Sequence, residues 1–217
     1  MSGDAPLGER LQQLLSDPES LPRPMVPPEL SYGRHRGPAN LGSRIAAVVV
    51  ALYQDATGEW TIPLTLRPSS LQHHGGQICL PGGQVEPDEN ILQAALREFE
   101  EELGVRPEVT CCCGELSTQY VYASDNLVHP LVVLIQPPSQ PWKPDPLEVE
   151  EVIPLHLSVL LNESSRTKLV KQRSVRMADQ EVGKLSFRAP AIEHNEYLIW
   201  GATALILDQL ARILQHK

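Results

Sequence analysis

The positions of apolar residues predict a succession of short strands around one strong helix. The segments IAAVVVALYQ (45–54) and WTIPLTLR (60–67) flank a Thr-Gly turn, which predicts two strands joined as a hairpin. Further strands are predicted at 109–116 and 127–136. The segment YLIWGATALILDQLARIL (197–214) is mostly apolar, which predicts a helix that packs on the sheet. Strands mixed with helices in this way favour a layered α/β fold.

The first 43 residues differ from the rest of the chain because they contain seven prolines. Proline lacks an amide donor and disfavours helix interiors, so we expect an extended N-terminal arm over residues 1–43 with one short helix at 7–15. Residues 44–217 are expected to form the folded domain, with a second proline-rich loop at 136–146.

The strongest helix signal covers residues 88–104, with the sequence DENILQAALREFEEELG. Pro87 and Asp88 predict a turn followed by the N-cap, and Gly104 stands where a left-handed C-terminal residue belongs. One face is apolar at helical spacing and consists of Leu92, Leu96, Phe99 and Leu103.

Three glutamates of this helix are candidate metal ligands. Glu98, Glu101 and Glu102 have the spacing i, i+3 and i+4, which predicts that their carboxylates lie together on the side opposite the apolar stripe. Glutamate-rich helix faces are commonly just solvated, which is the alternative. Closely packed carboxylates raise one another's pKa unless a cation neutralises them, and an all-oxygen site suits Mg²⁺ or Mn²⁺.

Composition and charge narrow the function classes. The chain has 217 residues, of which 41% are hydrophobic and 21% are charged, as in ordinary globular domains. Its 27 acidic and 18 basic residues give a formal net charge of −9, which argues against a nucleic-acid partner. An anionic ligand would therefore need a metal ion or a local basic patch.

Targeting, membrane and cysteine signals are weak in this sequence. No apolar stretch reaches the roughly 18 residues of a membrane helix, so we expect no membrane partner. The N-terminus lacks a signal pattern, which favours a cytoplasmic location without excluding an organelle. Cys79 and the run 111–113 lack a paired zinc-ligand spacing, so we expect reduced cysteines that behave as small apolar residues. The oligomeric state is left open.

The segment from Gly83 to Val105 resembles the Nudix box, G-x5-E-x7-R-E-U-x-E-E-x-G-U. Every fixed identity matches at its spacing, and Phe99 stands where an aliphatic residue is usual. The matching residues are Gly83, Glu89, Arg97, Glu98, Glu101, Glu102 and Gly104. Seven fixed residues would coincide by chance with a probability on the order of 10⁻⁸ per start position. The resemblance implies an α/β/α sandwich with a mixed β-sheet, and hydrolysis of a diphosphate joined to another moiety with the help of divalent cations.

The resemblance also implies which residues of the box would bind the metal. Glu98 and Glu102 would be the principal ligands, with Glu101 beside them and the Gly83 carbonyl as a further ligand. A diphosphate that approaches an acidic protein is repelled unless metal ions bridge the two, so these roles agree with the charge of the chain.

Other residues are candidates for a structural role or for the general base. Arg97 would be structural by the same resemblance, because it would pair with and orient carboxylates such as Glu89. The general base has three candidates, which are Glu101 and, in the segment EVEEV, Glu148 and Glu151. The alternative for the last two is an ordinary exposed acidic turn, since a base must reach its water at roughly 2.6–3.2 Å and spacing alone does not test that.

The stretch before the box, PLTLRPSSLQHHGGQICLPGG (63–83), resembles the signature upstream of the box in coenzyme A-type Nudix hydrolases. The matching residues are Leu64, Thr65, Arg67, Gly76, Pro81, Gly82 and Gly83. The departures are Pro63, Pro68, Gln72 and Leu80. Gln72 has the largest consequence, because an arginine there could pair with a phosphate.

Candidate substrate-binding residues follow from this signature. They are Arg67, Gly76, Gly82 and Gly83. Arg67 is the choice for a contact to a ligand phosphate, with a structural salt bridge as the competing interpretation. His73 and His74 lie in the same loop and could line the pocket, but we give them no catalytic role.

Two later segments, DPLEVEEVIPL (145–155) and FRAPAIEHNEYLIWGATALIL (187–207), also resemble the coenzyme A diphosphatase subfamily, although WGATA is equally explained by core packing. The leading hypothesis is therefore cleavage of coenzyme A or its derivatives to 3′-phosphoadenosine 5′-phosphate and 4′-phosphopantetheine. The alternatives are a Nudix hydrolase of a dinucleotide, a nucleotide sugar or a damaged nucleoside triphosphate, and a non-catalytic module that senses a nucleotide. A scaffolding role through the proline-rich arm is a weaker alternative.

Overall fold

The computed structural model describes residues 6–17, 21–24, 42–70, 75–121, 124–177 and 180–215. The helices are α1 (Leu7–Leu15), α2 (Ile91–Leu103), α3 (Leu157–Leu161) and α4 (Ala202–Gln215). The first strands are β1 (Arg44–Gln54), β2 (Trp60–Leu66), β3 (Ile78–Cys79), β4 (Gly82–Gln84), β5 (Val109–Glu115) and β6 (Gln119–Val121). The later strands are β7 (Asn126–Ile135), β8 (Glu151–His156), β9 (Arg166–Met177), β10 (Gln180–His194) and β11 (Tyr197–Trp200).

A mixed sheet is built around β1. Its main path runs β3-β2-β1-β7-β5, while β4 pairs with β1, β6 with β7 and β8 with β2. β1 is parallel to β7 and antiparallel to β2 and β4. The predicted hairpin is confirmed, because β1 and β2 pair across the turn in which Gly58 adopts a positive φ of 84°.

Helices cover both faces of this sheet. In β1, Ala47 and Val49 pack with Phe99 of α2, whereas the alternate residues Val50 and Leu52 belong to a core that includes α1 and α4. Side chains of a strand point alternately to opposite faces, so an apolar run such as 45–52 is what a strand buried on both sides requires. The predicted α/β/α sandwich with a mixed β-sheet is confirmed.

The bounds of α2 differ slightly from the prediction. Its N-cap is Asn90, whose side chain accepts from the Gln93 amide while the Gln93 side chain accepts from the Asn90 amide. The prediction of Asp88 as N-cap was wrong, because this reciprocal capping box fixes the start two residues later. Gly104 ends the helix with a left-handed φ of 65°, as predicted.

The C-terminal segment was predicted as one helix, and this was wrong for its first residues. Residues 197–200 form β11, which pairs with β10 through Trp200 opposite Ala191. Gly201 has a φ of 74° and breaks the direction of the chain before α4 begins. A short apolar run suits a strand or a helix equally, and here pairing with β10 decides between them.

The hairpin β9–β10 was not predicted. Its strands pair from Arg166 opposite Ile192 to Met177 opposite Gln180, and with β11 they form a separate three-stranded sheet. Two of its valines, Val170 and Val182, are exposed, so the segment lacks the one-sided apolar alternation that identifies a strand in a sequence.

The predicted helix at 7–15 is confirmed as α1. Leu15 packs directly over Gly114 of β5, and Leu11 is fully buried. Much of the remaining predicted arm lies outside the described residues. None of the helices within the described ranges has both the length and the apolar content that crossing a bilayer requires.

Candidate functional site

Two adjacent glycines bring the sheet and α2 into close contact. Gly82 has a φ of 149°, and a Cβ there would overlap the backbone carbonyl of Ala47 in β1. A Cβ on Gly83 would overlap the carboxylate of Glu98 instead. Glycine is therefore required at Gly82, where the backbone of β1 leaves no space, whereas a side chain at Gly83 would have to displace the Glu98 carboxylate.

Glu98 and Glu102 point toward these two glycines of β4 rather than toward solvent. Their side chains are 16% and 2% exposed, whereas that of Glu101 is 56% exposed. The three predicted ligands thus differ in burial, with Glu102 enclosed and Glu101 at the surface, and their grouping around a metal ion stays a prediction. Glu102 lies three positions after the buried Phe99, about one turn along the helix, so its carboxylate enters the space between α2 and the sheet.

The environment of Glu102 disfavours its charge. Burial raises the pKa of Glu102 to about 8; Arg67 and the Gly82 backbone amide oppose this shift, and the Glu98 and Glu148 carboxylates add to it. The Arg67 guanidinium Nη1 lies 3.4 Å from Glu102 Oε1. Glu102 Oε2 is buried without a hydrogen-bond partner among the described residues. A carboxylate in this state requires either a proton or a cation.

Glu98 is perturbed in the same direction by related causes. Burial raises its pKa, the Arg97 guanidinium lowers it, and the Glu101 and Glu148 carboxylates raise it further. Arg97 Nη1 donates to Glu98 Oε1 at 2.9 Å. Glu98 therefore has a guanidinium at 2.9 Å, whereas the guanidinium nearest to Glu102, that of Arg67, lies at 3.4 Å.

Arg97 organises the outer part of the site. Its Nε and Nη2 donate to the two carboxylate oxygens of Glu89 at 2.7 and 3.0 Å, and this contact lowers the pKa of Glu89. Nη2 also donates to the Gln84 carbonyl at 3.1 Å, and Nη1 donates to Glu101 at 3.0 Å. These bonds join α2 to β4 and to the loop that precedes the helix.

The donor set fits a hard divalent cation through two carboxylates rather than three. No group of three or more His, Cys, Asp and Glu side chains in the described part of the chain is close enough to hold a metal ion. Glu98 and Glu102 nevertheless converge on Gly82 and Gly83 of β4, and a cation would supply a partner for the buried Glu102 oxygen that has none among the described residues. All-oxygen coordination of this kind suits Mg²⁺ or Mn²⁺, which complete their shells with water or ligand oxygens.

The two later candidates for the base lie in different environments. Glu148 is in the loop before β8, and its charge raises the pKa of both Glu98 and Glu102, so it lies on their side of the molecule. Glu151 accepts a hydrogen bond from the Tyr197 hydroxyl at 2.6 Å. The same contact raises the pKa of Tyr197 to about 12. The structure therefore brings Glu148, and not Glu151, toward the α2 carboxylates.

Arg67 lies at the end of β2, where a loop leaves the sheet and returns. Its amide donates to the Gln77 carbonyl at 3.0 Å, and the Gly76 amide donates to the Arg67 carbonyl at 2.9 Å. Gly76 has a φ of 68°, which closes this loop in a left-handed conformation. Gln72, His73 and His74 lie outside the described residues.

Two residues next to the site were not assigned to it from the sequence. Burial raises the pKa of the Cys79 thiol to about 11, Arg67 lowers it, Glu102 raises it, and a hydrogen bond with Thr203 lowers it. Thr203 belongs to the WGATA segment at the start of α4. The resemblance of the WGATA segment to the subfamily pointed to this region, but the contact of Thr203 with Cys79 joins residues far apart in the sequence and was not predictable from it.

The family model and the most similar curated proteins point to the same family. The NUDIX domain family matches residues 42–174. An uncharacterized Nudix hydrolase, NudL, of Photorhabdus laumondii is 33% identical over 71% of this chain and 78% of that protein. A mitochondrial coenzyme A diphosphatase of Mus musculus is 31% identical over 82% of this chain and 83% of that protein.

Among solved structures, the MutT protein of Methanosarcina mazei Go1 superposes with a TM-score of 0.45 and 24% identity, over 56% of this chain and 84% of that chain. The NUDIX domain match covers more than half of the chain and contains the whole of β4 and α2. The chain therefore belongs to the Nudix hydrolase family.

Proposed function

We propose that this protein hydrolyses the diphosphate linkage of coenzyme A or its derivatives, with 3′-phosphoadenosine 5′-phosphate and 4′-phosphopantetheine as products. The observation that best supports hydrolysis is the buried Glu98–Glu102 pair with its unpartnered Glu102 oxygen. The substrate is supported by the upstream signature around Arg67 and by similarity to the mouse coenzyme A diphosphatase along most of both chains.

In this proposal Glu98, Glu102 and the Gly83 carbonyl hold Mg²⁺ or Mn²⁺, and Glu101 lies beside them at the rim of the site. The chemistry that such a cation supplies is polarisation of phosphoryl oxygens and compensation of the negative charge of the diphosphate. Arg97 and Glu89 position Glu98 through the hydrogen bonds described above. Arg67, Gly76, Gly82 and Gly83 form the substrate-binding edge, where the Arg67 guanidinium remains 25% exposed beside Glu102.

We assign the general base to Glu148. Its carboxylate is exposed and lies close enough to Glu98 and Glu102 to affect both. Glu101 is held by Arg97, and Glu151 is held by Tyr197. Glu148 would remove a proton from the water that attacks one phosphorus, while the phosphoanhydride P–O bond breaks on the other side.

Product analysis after incubation with coenzyme A and Mg²⁺ tests this function. We expect both products from the wild type, and a loss of turnover of about 10²–10³-fold in Glu102→Gln. Glu100→Gln is the matched control, because Glu100 lies on the same helix with an exposed side chain. Equal turnover in the two variants would contradict the role of Glu102.

A panel of other diphosphates tests the substrate separately. Hydrolysis of a dinucleotide, a nucleotide sugar or a damaged nucleoside triphosphate without turnover of coenzyme A would retain the reaction and reject the proposed substrate. A cytoplasmic location is part of the proposal, whereas the mouse relative is named as mitochondrial. Fractionation of cells that express the tagged full chain distinguishes the two.

A further inference from the structure

The loop that carries Glu148 is bonded to the C-terminal turn of α2. The last carbonyls of a helix lack partners within the helix, so other groups or water satisfy them. The Lys143 amide donates to the Leu103 carbonyl at 2.9 Å. The Asp145 amide donates to the Glu102 carbonyl at 3.3 Å. The loop that holds Glu148 is therefore joined directly to the residue whose carboxylate is buried in the site.

Close packing leaves little room for movement at this junction. A Cβ on Gly104 would overlap the Lys143 carbonyl, so the loop lies directly against the end of the helix. Trp142 packs edge-on against Phe99 of α2, with ring centroids 5.8 Å apart. Both contacts fix the loop relative to α2 before it reaches Asp145.

Asp145 is the residue through which the loop contacts Glu102. Prolines occupy positions 144 and 146 and lack an amide donor, so the Asp145 amide is the only backbone donor within residues 144–146. Each proline ring fixes its own φ and restricts the residue before it, so this stretch has little conformational freedom. The position of Asp145 is thus set by α2 and by its two neighbours.

Asp145 also begins the turn that presents Glu148. Its carbonyl accepts from the Glu148 amide at 3.0 Å and from the Val149 amide at 2.8 Å. Its side-chain Oδ1 accepts from the Leu147 amide at 2.9 Å, which forms an Asx turn. Val149 is 1% exposed, so the turn is packed into the core while Glu148 itself stays exposed.

The far end of the turn is bonded to β2. The Glu150 amide donates to the Leu66 carbonyl at 2.8 Å. The next residue of that strand end is Arg67, whose guanidinium lies 3.4 Å from Glu102. The turn from Asp145 to Glu150 is therefore held at both ends by elements that also place Glu102.

We propose that Asp145 is the positioning residue for Glu148: its amide joins the loop to Glu102, and its carbonyl and carboxylate hold the turn that presents Glu148 to the attacking water. This inference rests on the proposed function, because it affects the rate only if Glu148 is the general base. A base must lie at roughly 2.6–3.2 Å from its water, so a small displacement of the turn lowers the rate. The role requires an acceptor oxygen on the side chain of Asp145 rather than its charge.

Steady-state kinetics with coenzyme A and Mg²⁺ test this role. We expect Asp145→Ala to lower kcat about tenfold and to change KM less than about twofold, because the turn shifts without loss of a substrate contact. Asp145→Asn retains an acceptor for the Leu147 amide and should keep kcat within about twofold of the wild type. Equal losses in the two variants would show that the charge matters instead, and would overturn the inference.

Asp55→Ala is the matched control. Asp55 Oδ1 accepts from the Thr57 amide at 2.8 Å in the turn after β1, so this variant also loses a side-chain acceptor within a turn. The turn lies beyond the end of β1, whereas Gly82 pairs with Val48 in the first half of that strand. Asp55→Ala should leave kcat within about twofold, and a loss equal to that of Asp145→Ala would contradict a specific role for Asp145.

A double-mutant cycle shows whether Asp145 acts through Glu148. In the Glu148→Gln background, Asp145→Ala should lower kcat by less than about a further twofold, because the side chain that it positions no longer accepts a proton. A further tenfold loss would overturn the inference. Hydrogen exchange of the amides of residues 147–149 gives a readout without turnover. It should be faster in Asp145→Ala than in the wild type and in Asp145→Asn, and unchanged exchange would also overturn the inference.

The wild type and Glu148→Gln separate this inference from the proposed function. Hydrolysis of another diphosphate without turnover of coenzyme A, with the same dependence on Asp145 and Glu148, would retain the positioning role and reject the proposed substrate. Wild-type turnover in Glu148→Gln would overturn the positioning role, while a loss of turnover in Glu102→Gln would still support the hydrolase.

Discussion

Charged side chains are buried where α2 packs against the two glycines of β4, and they are exposed at several positions of the β9–β10 hairpin. In the first region, Glu98 and Glu102 are drawn inward against Gly82 and Gly83, with Arg67 and Arg97 beside them. In the hairpin, by contrast, Lys168 and Lys184 are exposed, on strands that carry two exposed valines as well. Burial raises the free energy of the charged carboxylates in the first region, whereas the exposed lysines of the hairpin remain hydrated.

This difference has opposite consequences for packing and for stability. Buried carboxylates with raised pKa values favour a cation strongly, but they need close packing that tolerates almost no change in volume. Exposed lysines can attract an anion that comes close to them. They tolerate substitution because their charges are hydrated and screened by solvent. We therefore expect mutations in the two regions to differ sharply in their effects on stability.

The largest expected contrast is between two glycines. Gly82→Ala should lower the free energy of unfolding by about 3 kcal/mol, because its φ of 149° is strained for alanine and the new Cβ would overlap the Ala47 carbonyl. Gly183→Ala in the hairpin meets no neighbouring atom and should change stability by less than about 0.5 kcal/mol. Urea denaturation measures both, and similar values for the two variants would contradict the contrast.

A pH effect should follow from Glu102. Its pKa is about 8 in the folded chain and 4.5 as a model value, so between these pH values the native state holds a proton that the unfolded state releases. Without metal, stability should therefore fall as pH rises through this window, with a slope approaching about 1.4 kcal/mol per pH unit.

Thermal or urea unfolding of the metal-free protein from pH 5 to pH 8 measures this slope. Glu102→Gln should remove most of it, since the amide does not titrate. A variant that retains the full slope would show that another group is responsible.

A smaller effect is expected at the start of α2. Asn90→Ala should cost about 1 kcal/mol, because the variant loses the side-chain acceptor of the Gln93 amide. Asp88→Ala is the control and should cost less than about 0.5 kcal/mol, because Asp88 is exposed and does not cap the helix. Circular dichroism during urea titration compares them, and the reverse ranking would restore Asp88 as the cap.

Several features of the fold and the site were predictable from short-range patterns. The apolar run of β1, the Thr-Gly turn to β2 and the glycine that ends α2 depend on local conformational preferences, and all three were predicted correctly. The strand at 197–200 and the β9–β10 hairpin were not, because their pairing partners decide their conformation. Residues 88 and 90 are both good N-caps, so only the observed capping box separates them.

For the candidate site, the sequence by itself determined which residue types stand at which spacing on α2, because side chains three and four positions apart share a helix face. The burial of Glu102 and the hydrogen bond from the Tyr197 hydroxyl to Glu151 were decided only by the tertiary structure. The reason is physical: spacing is a property of one helix, whereas desolvation and hydrogen bonding depend on what the sheet, the loops and α4 bring against it.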